Sequence, residues 1–80
     1  MEVRFTLAAS KHGISETSIM DVLYTATIVL PLDDIEMYLG ADRSGLVLEV
    51  GVVFEGEDTM VVIHAMEMRE QFRPDYEGTR

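Results

Sequence analysis

Apolar residues recur at helical spacing in one stretch of the chain, at Ile19, Val22, Leu23 and Ala26. Ser15 stands before that stretch as an N-cap. Glu16 falls in the first turn, where negative charge meets the unpaired N–H groups. The spacing predicts a helix over 16–26, with Ser18, Asp21 and Thr25 toward water. Upstream, Val3 to Leu7 alternates in the manner of a strand. Leu7 to His12 then reads as helix former until Gly13 stops it, and a short helix is expected over 6–12.

From Ile35 the period changes to two. Ile35, Met37 and Leu39 alternate with Glu36 and Tyr38, and Asp42-Arg43-Ser44-Gly45 marks a turn. The next arm places Leu46, Leu48, Val50, Val52 and Phe54 on one face and Val47, Glu49, Gly51 and Val53 on the other. Glu55-Gly56-Glu57-Asp58 makes a second turn, and Thr59 to Met66 is a third strand, apolar on both faces as at the middle of a sheet. On strict alternation His64 shares a face with Met60, Val62 and Met66. Thr27 to Leu32 is rich in β-formers, but Pro31 has no N–H for a ladder, so it is an edge strand or a connection.

After Met66, residues 67–72 read as one or two helical turns ending near Arg73, because Pro74 disfavours helical geometry in the residue before it; the tail beyond Tyr76 is expected to fray. The expected architecture is α+β: two short N-terminal helices, a three- to four-stranded antiparallel sheet built on a meander, and a short C-terminal helix. It is one domain over 1–80, since 80 residues cannot divide into two self-sufficient cores.

Composition narrows the function. Hydrophobic residues are 48% and charged residues 26%, the balance of a globular protein. Fifteen acidic against six basic residues give a net charge of −9, which repels polyanions and makes nonspecific DNA or anionic-membrane binding unfavourable. There is no cysteine, and therefore no disulfide, thiolate metal site or thiol nucleophile. The N-terminus lacks a basic segment leading into a long apolar one, and Glu49 interrupts the most apolar region, so neither a signal peptide nor a membrane span is expected. A cytoplasmic protein fits.

The side chains able to move protons near neutral pH are His12 and His64. His12 reads either as a charge beside the first helix end or as an auxiliary in a site. His64 reads either as a half-buried histidine with one hydrogen bond or as a proton-transfer group, since Arg69 and then Arg73 follow the turn after its strand. Those arginines suit phosphate neutralisation, and they equally suit ordinary ion pairs with Glu67, Glu70 and Asp75. No spacing resembles a metal site, no glycine-rich phosphate loop is present, and Ser10 and Ser44 lack a nucleophile's context. No metal or cofactor is expected.

The segment Lys11-His12-Gly13-Ile14-Ser15 resembles the BrnT-like toxins of bacterial type II toxin–antitoxin systems, small ribonucleases with a RelE-like α+β fold. In that family a Lys-His-Gly-(Ile/Val)-Ser segment joins two N-terminal helices. Met37-Tyr38-Leu39-Gly40, Leu46 to Phe54 and Val61-Val62-Ile63-His64-Ala65 follow in the family's order. Ala65, Arg73, Tyr76 and Glu77 fall where its terminal motif has similar residues. Met66 stands where that motif has an arginine, and Glu67, Glu70 and Asp75 make the last helix more acidic than the family's.

The resemblance implies an endoribonuclease neutralised by a cognate antitoxin. His64, Arg69 and Arg73 would be catalytic, with Lys11, His12 and Tyr76 binding RNA. A second reading comes from the charge, the apolar strand faces and the six methionines. It is a noncatalytic interaction module on the same scaffold, binding a protein partner or associating with itself.

Overall fold

The computed structural model describes residues 1–78. The chain runs β1 (Glu2–Phe5), a 3-10 turn (Leu7–Ser10), α1 (Glu16–Thr25), β2 (Ile28–Leu32), β3 (Ile35–Ala41), β4 (Val47–Glu55), β5 (Thr59–Glu67), a second 3-10 turn (Glu70–Phe72) and α2 (Arg73–Glu77). All five strands form one sheet in the order β1-β5-β4-β3-β2, with β1 parallel to β5 and every other pair antiparallel.

This corrects the expected architecture in three respects. The chain opens on a strand rather than a helix, the sheet has five strands rather than three or four, and it is mixed rather than antiparallel. The alternation of Val3 and Phe5 prevails because the edge of β5 offers backbone partners, with Phe5 opposite Val62. The segment expected as a helix over 6–12 yields a single 3-10 turn; Thr6 caps it, its hydroxyl accepting from Ala9 N and donating to Val62 O. So short a piece cannot repay helix nucleation beyond one turn. Pro74 does not end a helix but sits in the first turn of α2, where its missing N–H costs nothing. The tail expected to fray beyond Tyr76 is helical through Glu77; Thr79 and Arg80 lie outside the described residues.

The 16–26 helix and the two hairpins of the meander agree with expectation. Ser15 accepts from Ser18 N as predicted for an N-cap, and α1 lies on one sheet face through Ile19 and Val22, both fully buried with Leu48, Val50, Val52 and Val62. The helix sits close because Gly40 has no side chain: a Cβ there would lie 3.3 Å from the Cα and Cβ of Ala26. On the opposite face, Phe72 closes over Met37 and Leu39.

The β4–β5 register shifts in mid-strand. Gly51 pairs with His64 but Val52 pairs with Val62, so Ile63 is an extra residue, a bulge. It lies just past the last pair between β1 and β5. A bulge inverts the alternation beyond it. Val62 and Ala65 both join the α1 core, and His64 turns to the other face, away from Met60 and Val62.

Candidate functional site: a buried carboxylate holding His64 and Arg69

β4 is the central strand, and Glu49 sits in its middle, opposite Leu39 on one side and Met66 on the other. Its side chain is 0% exposed, yet both carboxylate oxygens accept hydrogen bonds. Arg69 donates to it four ways: backbone N at 2.9 Å, Nε at 3.2 and 3.0 Å to the two oxygens, and Nη2 at 2.6 Å. His64 Nε2 lies 2.9 Å from Oε2. Burial alone would push the Glu49 carboxyl up, but the donors from Arg69, with His64 added, outweigh it and hold it below the ordinary value.

An ionised carboxylate only accepts, so His64 Nε2 carries a proton; in the neutral ring the lone pair then belongs to Nδ1. The half-buried imidazole is thus oriented and its tautomer set by one buried group. A second ring stands beside it: His12 and His64 have centroids 6.1 Å apart, edge to face. His12 arrives there because β1 pairs with β5 and the turn at 7–10 packs on that strand, and Gly13, at φ +77°, reverses the chain just after it. The turn's C-cap is Lys11, whose N–H bonds Ala8 O, so His12 lies beyond the cap. Arg69 completes the group. Its side chain is 45% exposed, and its guanidinium stacks over Phe72 at 5.6 Å and has Nη1 left over from its bonds to Glu49.

The structure thus joins His64, Arg69 and His12, with exposed Lys11 next to His12 in the chain. It does not join Arg73, whose Nε and Nη2 are given to Glu70, one of the expected ion-pair partners, and whose Nη1 is given to Glu77, which was not among them. Tyr76 packs half-buried against the Met37, Leu39 and Phe72 cluster. The residue that sequence reasoning missed is Glu49, used there only to exclude a membrane span. Its signal was present all the same: a lone charge inside the most apolar strand must find partners.

Among the described residues no group of three or more histidine or acidic side chains is arranged to hold a metal ion. No described helix is long and apolar enough to cross a membrane. Compared with family models, curated proteins and solved structures, the chain matches none.

Proposed function

We propose that the protein is the toxin of a type II toxin–antitoxin pair, a BrnT-like cytoplasmic endoribonuclease neutralised by a cognate antitoxin. The observation that carries this reading is the pair of imidazoles, His12 and His64, beside a guanidinium on a buried carboxylate. RNA brings its own nucleophile, the 2′-hydroxyl. One imidazole takes that proton as O2′ bonds to phosphorus, and the other gives a proton to O5′ as the P–O5′ bond breaks. The products are a 2′,3′-cyclic phosphate and a 5′-hydroxyl. Arg69 Nη1 meets the non-bridging oxygens as charge builds on them, and Glu49 holds His64 and Arg69 in place throughout. Lys11 adds a cation at the approach to His12.

Induced expression is expected to arrest growth and fragment RNA, and His64→Ala or Arg69→Ala to relieve both. Normal growth with intact RNA overturns the reading and leaves the noncatalytic interaction module on the same scaffold.

A further inference from the structure

Five strands make a sheet face wider than one ten-residue helix can cover, and α1 lies over β3 and β4. Toward β1 that face is covered in part, by the 3-10 turn at 7–10 packed on β5, and Val3 and Phe5 stay half-buried. Three cavities follow one another along the seam between β1 and α1: the first shares Phe5 and Glu16 with the second, which shares Met20 and Tyr24 with the third. The floor is apolar, with Val3, Leu23 and Met60 at the far end. Tyr24 is 83% exposed beside it and Leu7 92% at the near end, so apolar side chains border the seam at both places.

Charge decides what covers the seam. Glu16 lines its near end, and the Glu57–Asp58 turn adjoins Met60 at the other, with Asp58 O accepting from Glu2 N. Asp21 beside Tyr24 is already met by Arg43. A second copy would bring its own net charge of −9 to these acids, whereas a cationic segment is drawn to them. The seam runs beside α1, whose ten residues span about 15 Å, a length that suits two to three turns of an incoming helix. Methionines at its floor adapt to the side chains they receive.

We propose that the β1–α1 seam docks an amphipathic, cationic helix of a partner protein, its apolar side chains over Met20, Leu23 and Met60 and its lysines or arginines toward Glu16 and the Glu57–Asp58 turn. This supplies the partner in the toxin reading, but it does not require RNA cleavage.

The test uses the full chain with isotope-labelled methionine methyls and a synthetic helix of leucine and lysine, leucines on one face. Saturable shifts of the Met20 and Met60 methyls are expected, with Met37 and Met66 unmoved. Tyr24→Glu and Met20→Glu should each weaken binding roughly ten-fold although they add negative charge, because they break the apolar face. Exposed Tyr24 carries no folding risk. Equal binding by a scrambled leucine–lysine peptide reduces the effect to plain charge attraction and overturns the proposal. So does movement of the same methyls on raising protein concentration alone, which makes a second copy the occupant. Docking without RNA cleavage refutes only the nuclease; cleavage without docking refutes only the seam.

Discussion

Arg69 and Glu49 are joined by four hydrogen bonds, one from the backbone and three from the guanidinium, and the carboxylate they hold is out of contact with water. The pair pins the point where the chain leaves β5 and folds back over the sheet. It also leaves a charge in the middle of the central strand, a cost that its hydrogen bonds to Arg69 and His64 offset.

The two partners are unequal, and their removal should be too. Arg69→Ala leaves the carboxylate buried with His64 alone. Loss of one partner from a fully buried pair typically costs about 3–5 kcal/mol; with Arg69 half-exposed and His64 remaining, about 2 kcal/mol is expected in chemical denaturation. Glu49→Leu removes the charge, and Arg69 can turn to water. Stability should change by less than about 1 kcal/mol, or rise, while the RNA cleavage proposed above should be lost because His64 is no longer oriented. Equal loss of stability in both variants would contradict the arrangement.

Acid should unfold the protein through two carboxylates. Asp42 accepts from the Ser44 and Ser18 hydroxyls and from the backbone N–H of Leu46 and Ser44, which hold it down to about 2; Glu49 is also held below its ordinary value. Both folded-state values lie below the unfolded ones, so their contribution is complete above the unfolded value. It is lost as pH falls below about 4 toward the folded values. Melting temperature measured against pH should drop steeply over that range, and Asp42→Asn should flatten the drop.

On the proposed nuclease reading, His12→Ala and His64→Ala should each lower kcat on a short RNA by about 100-fold or more. Arg73→Ala should leave the rate within a few-fold, because its guanidinium serves Glu70 and Glu77.

Gly51 faces the site from β4: a Cβ there would lie 3.3 Å from the Cβ of His64 and 3.4 Å from Ile35 Cγ2. Gly51→Ala is expected to push His64 from Glu49 and, on the proposed nuclease reading, to slow cleavage more than it lowers stability. Gly40→Ala presses on Ala26 under α1 instead, and should cost about 1–2 kcal/mol with little effect on rate. Melting curves paired with kinetics of the two variants check the contrast.

Local rules determined a good part of this protein. The Ser15-capped helix, the turns at 42–45 and 55–58, and the period-two arms around them follow from caps, turn residues and alternation, which act within a few residues. The parallel pairing of β1 with β5 joins segments more than fifty residues apart, and no local pattern encodes which free edge a strand will take. The bulge at Ile63 belongs to the register between two strands, so alternation read along one strand placed His64 on the wrong face. For the same reason Glu49 looked like an interruption: a buried charge is explained by its partners, and Arg69 and His64 reach it, with His12 beside His64, only through the fold.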